Sequence, residues 1–438
     1  MKERRDGWSR GKGGRFYMSS PKSTGRLKNL FSAQDMAVGA PWRRILEFSL
    51  PMLIGNLAQQ MYNTADSVIV GIYVGDNALA ALGSASPILN LLLALFVGIA
   101  TGAGILVAQY FGARDRERLS GVIGNCMTLT LVASAIIMVI GPLVTRPLLE
   151  LLNTPASILD WCTDYLNIFF LGIVGFAAYN ILSGVLRGLG DSLSALVFLI
   201  VATVLNIGLD LWFVAGLRLG VAGVALATVI AQAISAVLCF FKLFRMHDVF
   251  TLRFSHLRPV REYVGKIIRL GVPSGVTQAI FSTAMLVVQS LTNSFGEAVI
   301  ACNVIVMRVD GFAMMPNFTF GQAMTTYTGQ NVGAGKPDRV RTGAKQGTLM
   351  ALACAAALTL CILLFGCSLM GIFTDTAELV EMSYHMMCIL AVGYIAMAVT
   401  QSLSGVMRGA GDTMTPMWIS IITTVVLRVP IAYGLAFL

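Results

Sequence analysis

Two ten-residue stretches constrain the architecture more than anything else in the chain. Ser183–Ser192 reads SGVLRGLGDS and Ser404–Thr413 reads SGVMRGAGDT, an offset of 404 − 183 = 221 residues. Gln109, Gly112 and Ala113 recur as Gln330, Gly333 and Ala334 at the same offset of 221, and Pro51 recurs as Pro273 at 222. An offset held to within one residue from Pro51 to Ser192 is the signature of two homologous halves. The fold must therefore be one plan used twice.

Between these landmarks lie eleven long apolar runs, at 46–74, 78–110, 119–143, 160–186, 193–215, 220–244, 265–295, 298–330, 340–371, 379–406 and 413–437. About 20 apolar residues cross a bilayer as a helix, and none of these runs alternates like a barrel strand. With 56% hydrophobic and only 12% charged residues, the chain could not cover a water-facing surface. The expected fold is an all-α polytopic membrane protein built from two parallel repeats of six transmembrane helices. The counterpart of the sixth span would begin near 220 + 221 = 441, beyond Leu438, so the twelfth helix is missing from this chain and truncation is the expected cause. Pro51, Pro87, Pro273 and Pro316 are expected to kink or open their spans. The domain plan is a basic, disordered cytoplasmic leader at 1–40, a six-helix lobe at 41–245, an inter-lobe linker at 246–264 and a second lobe at 265–438.

All 31 Lys and Arg except Arg146, Arg218, Arg308 and Arg428 lie at the N-terminus or in alternate loops and their flanks. That bias predicts a cytoplasmic N-terminus and a multi-pass protein of the plasma (cell inner) membrane. It also accounts for the net charge of +9 without nucleic acid as a partner. The eight cysteines form no CxxC pair and read as small core residues. There is no GxxxxGK[ST] and no soluble domain to house an ATPase, so neither direct ATP drive nor an enzyme activity is expected. Arg187 and Arg408, in the RGLGD and RGAGD loops, are expected to bind carbonyls at helix C-termini.

Chemistry concentrates in the first half. Gln59, Tyr62, Asn63 and Asp66 recur at i, i+3, i+4 and i+7, which puts them on one helical face inside an apolar run. An acid at that depth costs about 2.5–3.5 kcal/mol or more, so it is read as functional. Asn206 and Asp210 share a face of the fifth span, and Thr228 and Gln232 share one of the sixth. Oxygen donors from Asp66, Asn206, Asp210 and Thr228 would suit a hard cation such as sodium, and the paired carboxylates would suit proton uptake. The counterparts of Asp66, Asn206 and Asp210 at the 221 offset are Val287, Leu427 and Ile431, so this constellation is confined to one half. In the second half, Met285, Met307, Met314, Met315 and Met397 with Phe281, Phe312, Phe318 and Phe320 make a broad-specificity pocket plausible. Substrate-cavity candidates are Gln59, Tyr62, Asn63, Gln278, Met285 and Asp310.

Leu50–Pro51, NTADSVIVG around Asp66, the two SGV-RG-GD loops and GQNVGAGKPD at Gly329–Asp338 resemble the multidrug and toxic compound extrusion (MATE) transporters, from about Pro41 to the C-terminus. The resemblance implies a secondary antiporter that exports amphipathic, often cationic drugs or toxic compounds in exchange for sodium ions or protons. No other cofactor is expected. The partners would be small molecules and membrane lipids, and the protein is expected to act as a monomer. In family branches with a cation site in the first lobe, the matching positions are Asp66, Asn206, Asp210 and Thr228. One branch carries further acids in the seventh and tenth spans, where this chain has Phe281 and Met397. A lipid or lipid-linked oligosaccharide flippase is the alternative. It would favour a cationic central cavity.

Overall fold

The computed structural model describes residues 8–10, 16–18, 33–152, 154–374 and 376–436. Trp8–Arg10 (β1) and Phe16–Met18 (β2) pair as a short antiparallel ribbon. The rest of the expected leader up to Ser32 lies outside the described residues. Its end is packed: Met36 is fully buried and donates its N–H to Gln330 Oε1 at 2.8 Å, while Asp35 pairs with Arg114 at 3.2 Å. Residues 33–40 thus touch both halves.

The first half comprises α1 (Pro41–Tyr73), α2 (Asp76–Gly112), α3 (Arg116–Leu151), α4 (Ala156–Leu171), α5 (Ile173–Gly188), α6 (Ser192–Asp210) and α7 (Gly220–Phe244). The second comprises α8 (Arg261–Asn293), α9 (Glu297–Gly333), α10 (Pro337–Met370), α11 (Ala377–Ala410), α12 (Met414–Ser420) and α13 (Val429–Ala436). Helices α2 and α9 begin and end at one offset, 297 − 76 = 221 and 333 − 112 = 221. Nine helical stretches among the described residues are long and apolar enough to cross a membrane, and α4 with α5 forms a tenth, bent by 55°. The eleventh rod, α1, is as long as the others, but Gln59, Gln60, Asn63, Thr64 and Asp66 dilute its apolar character.

The bend between α4 and α5 falls at Gly172, not at a proline. Valine 229 lies where a Gly172 Cβ would sit, so α7 presses directly on the break. Two π-helical stretches interrupt the regular helices, Leu211–Gly216 directly after Asp210 and Ile421–Arg428 after α12. Wide turns of this kind often mark functional positions.

The repeated loop has a local explanation. Gly190 and Gly411 take φ of +83° and +99°, which glycine adopts without strain. The following aspartates cap the next helix. Asp191 accepts from Ser194 N at 2.9 Å and Asp412 accepts from Thr415 N at 3.0 Å. The Thr415 hydroxyl and backbone bonds hold the Asp412 carboxyl below the usual carboxylate range.

The two halves are cross-braced by their first helices. Ile45, Phe48 and Met52 of α1 pack with Phe320, Met324 and Tyr327 of α9, while Ile267 and Leu270 of α8 join the core of the first half. Helices α2 and α8 cross at backbone contact. Added Cβ atoms at Gly98 and Gly102 would come within 2.6 Å of the Gly275 and Gly271 backbones. This is a small-xxx-small crossing on both helices. At the matching positions of α9 stand Thr319 and Ala323, and Thr319 instead accepts a hydrogen bond from Asn56 at 2.9 Å. The inter-lobe linker is stitched to α3: Asn125 Oδ1 accepts from Val260 N at 2.7 Å, and Thr128 donates to the Leu257 carbonyl at 2.6 Å. All eight cysteines are free; Cys126, Cys162, Cys239 and Cys302 are buried, whereas Cys361 and Cys367 face outward.

Candidate functional site

Three helices of the first half bring the polar residues together. Asp66 comes from α1, Asn206 and Asp210 from consecutive turns of α6, and Thr228 from α7. With its amide oriented by its partners, Asn206 donates to Asp66 Oδ1 at 2.7 Å and to Asp210 Oδ2 at 3.2 Å. The two carboxyl groups are also within hydrogen-bond reach of each other. Tyr62 Oη donates to Thr228 Oγ1 at 3.1 Å, tying α1 to α7 beside the carboxylates. Asn206 and Asp210 are fully buried, and Tyr62, Thr228 and Gln232 nearly so.

This cluster is under-satisfied. Asp210 Oδ1 and Gln232 Oε1 are buried without a hydrogen-bond partner. A buried acceptor left open costs free energy unless a donor or cation fills it. Two carboxylates bridged by one neutral amide also need positive charge between them. Oxygen donors in this arrangement fit sodium, and the paired acids fit a proton equally well.

A separate central cleft of about 1240 Å³, part of it open to solvent, lies between the halves. Its walls are mixed, with polar side chains from Asn180, Gln278, Gln322, Thr326 and Gln401. Phe281, Phe318 and Met397 supply an apolar side. Of the six substrate-cavity candidates, Gln278 alone lines this cleft, whereas three of the Met and Phe residues read as a broad-specificity pocket, Phe281, Phe318 and Met397, do so. Tyr62 sits with the carboxylates instead, Gln59 is half-buried, and Asn63 and Met285 are exposed. Asp310 accepts a hydrogen bond from Tyr394 Oη at 2.7 Å in the second half.

Arg187 and Arg408 correct the sequence reading. Neither side chain bonds a carbonyl among the described residues, and both line the central cleft. Helical spacing places them near the ends of α5 and α11. It does not say that those ends face the axis between the halves. The loop caps are made by Asp191 and Asp412, which satisfy the next helix directly.

The MatE family model matches the chain twice, over residues 51–212 and 273–434. This chain belongs to the MatE family. Both matches are displaced by the internal repeat, 273 − 51 = 222, so the two halves carry the family pattern separately. Among MATE relatives, the Bacillus subtilis protein named "Probable multidrug resistance protein YoeA" is 30% identical over 403 residues, covering 90% of this chain and 87% of that protein. The Thermotoga maritima protein named "Probable multidrug resistance protein NorM" is 25% identical over 395 residues, covering 89% and 85%. A solved structure described as the outward-facing conformation of a multidrug resistance MATE family transporter superposes with a TM-score of 0.85 at 26% identity, covering 94% of this chain and 91% of that one. The family is one of transporters, and the two-repeat helical fold agrees with it. Phe281 and Met397, which stand where one MATE branch was expected to carry acids, both face the central cleft.

Proposed function

We propose that this MATE protein is a secondary antiporter that exports amphipathic small molecules through the central cleft in exchange for sodium ions or protons. The observation that carries this reading is the convergence of Asp66, Asn206 and Asp210 in the first half, beside the Tyr62–Thr228 bond and apart from the cleft. A cation arriving there would neutralise two adjoining carboxylates and fill the open Asp210 oxygen. Because the site joins α1, α6 and α7, its occupancy would bear on how α1 packs, and α1 also braces α9 across the cleft. Ion binding could thus favour one arrangement of the halves, which is the differential affinity that exchange requires.

The loops that carry most Lys and Arg lie at the end where the halves meet through Gln109 and Gln330. Under the positive-inside rule that end is cytoplasmic, and the conformation is closed towards the cytoplasm. We place the protein in the plasma membrane with a cytoplasmic N-terminus, acting as a monomer among membrane lipids, without nucleic acid. The part of the family expectation that the cleft supports least is a cationic cargo, since among the described residues two arginines and no carboxylate line it.

Efflux of amphipathic dyes from cells or vesicles, cationic ethidium and an anionic dye in parallel, measured at two sodium concentrations and two pH values, tests the reading. Asp66→Asn should abolish ion-driven efflux while leaving expression intact. Undiminished efflux in that variant would overturn it.

A further inference from the structure

Arg187 and Arg408 are repeat partners, 408 − 187 = 221, and both border the central cleft. No Asp or Glu among the described residues lines that cleft. Among the described residues, no carboxylate lies within 4.0 Å of either guanidinium, and neither side chain donates a hydrogen bond to a protein acceptor. Each guanidinium presents up to five N–H donors and keeps its charge at any accessible pH. An arginine held by a buried helix end and left without a protein acceptor is poised for one from outside. Hydroxyls and amides of Thr325, Thr326, Gln401 and Ser404 stand on the same walls, and Phe281, Phe318 and Met397 provide the apolar side.

We propose that the central cleft is an oxyanion-selecting site, in which Arg187 and Arg408 hold the carboxylate or phosphate head of an amphipathic ligand whose apolar body lies against Phe281, Phe318 and Met397. This rests on reading the cleft as the cargo site. Planar, charge-assisted bonds from arginine to an oxyanion are stronger than neutral ones and directional. Aromatic and methionine surfaces accept apolar bodies of varied shape. The site therefore selects by head-group charge and is permissive towards the remainder. The paired acids lie in the separate cluster of α1 and α6, outside the cleft lining, so coupling ion and cargo would not compete for one carboxylate.

Equilibrium dialysis of the purified, detergent-solubilised protein tests this with four soluble probes: naphthaleneacetate, naphthyl phosphate, the neutral naphthaleneacetamide, and ethidium. At least one of the two anions should bind about tenfold or more tighter than the amide, the scale of one charge-assisted hydrogen bond. The comparison of the anions shows which head group is preferred. Arg187→Gln and Arg408→Gln should each weaken anion binding while leaving the amide unchanged, and Arg→Lys at either position should restore part of it. If the wild type binds the amide or ethidium as well as both anions, the proposal is overturned, and this arm needs no variant to fold. An anion preference that survives both Gln substitutions overturns the assignment to these arginines. Dialysis involves no ion gradient. Intact anion binding with Asp66→Asn-insensitive efflux would sink the antiport reading alone, and charge-blind binding with Asp66-dependent efflux would sink this proposal alone.

Discussion

Gln109 of α2 donates its side-chain amide to the Gly409 carbonyl, 3.0 Å away across the boundary between the halves. Its repeat partner does the same in reverse: Gln330 of α9 donates to the Gly188 carbonyl at 3.1 Å. The pair closes one end of the cleft with pseudo-two-fold symmetry. Gly112 and Gly333 make the approach possible, because a Cβ on either would run into the backbone carbonyl of the opposite glutamine. Residues 33–40 strengthen the same closure, since Met36 N–H is held by Gln330 Oε1 and its carbonyl by Asn331 and Arg339.

Gly112→Ala or Gly333→Ala should therefore loosen this end without disturbing the core of either half. Hydrogen exchange is the direct measurement. Peptides covering 186–192 and 407–412 should exchange faster in either variant, and peptides within α3 and α10 should not change. Unaltered exchange at both loops would show that the two glutamines do not hold the closure.

The α2–α8 crossing should be the less forgiving of the two braces. Gly98→Ala places a methyl within 2.6 Å of the Gly275 Cα, so the helices must separate. Overpacking of this kind costs about 1–3 kcal/mol. Thr319→Ala, at the matching position of α9, removes the bond from Asn56 and should cost nearer 1 kcal/mol. Melting of the detergent-solubilised variants should rank them in that order.

The loop aspartates give a second contrast between the halves. Loss of an N-cap costs about 1 kcal/mol. Asp412→Ala should show about that loss, while Asp191→Ala should lose more, because Asp191 is buried and also pairs with Lys242 at 3.5 Å. The Asp412 carboxyl is held below its ordinary range by Thr415, so its contribution is present above the unfolded value and is lost as pH falls through the folded one. The gap in melting temperature between wild type and Asp412→Ala should shrink as the pH is lowered into the acid range. A gap that widened on acidification would contradict the cap.

The duplication, the helical class and the shared face of Asn206 and Asp210 were legible from spacing alone, because each depends on one helix face or one constant offset. Asp66 was joined to them by the chemistry of its carboxylate and by the family resemblance, not by spacing. Relations between helices were not legible. The i, i+3, i+4, i+7 stripe at Gln59–Asp66 suggested one surface, yet Tyr62 turns to Thr228 while Asn63 is exposed, because a stripe as wide as this straddles a packed side and an open one. Arg187 and Arg408 looked like helix-end caps because nothing in their sequence neighbourhood says which end faces the axis between the halves. Gln109 and Gln330 were noticed as repeat markers, and their 300- and 142-residue reach to a partner carbonyl has no sequence signal. The bend at Gly172 was likewise hidden, since the α7 valine that presses on it is distant in the chain.

The cation cluster yields the most discriminating measurement. A ligand that binds only the folded protein stabilises it by RT ln(1 + [L]/Kd), about 2.7 kcal/mol at a hundredfold excess over Kd. If sodium fills the open Asp210 oxygen, the melting temperature of the wild type should rise with sodium at constant ionic strength, held with choline. Asp210→Asn should abolish the rise, because it removes one charge and half of the paired site. Asn206→Leu should do the same while also costing stability, since both carboxylates then lose the amide that bridges them. If the site takes a proton instead, sodium should leave the wild type unmoved, and the difference between wild type and Asp210→Asn should vary with pH. A wild type whose melting responds to neither sodium nor pH in a way that Asp210→Asn removes would exclude this cluster as the coupling site.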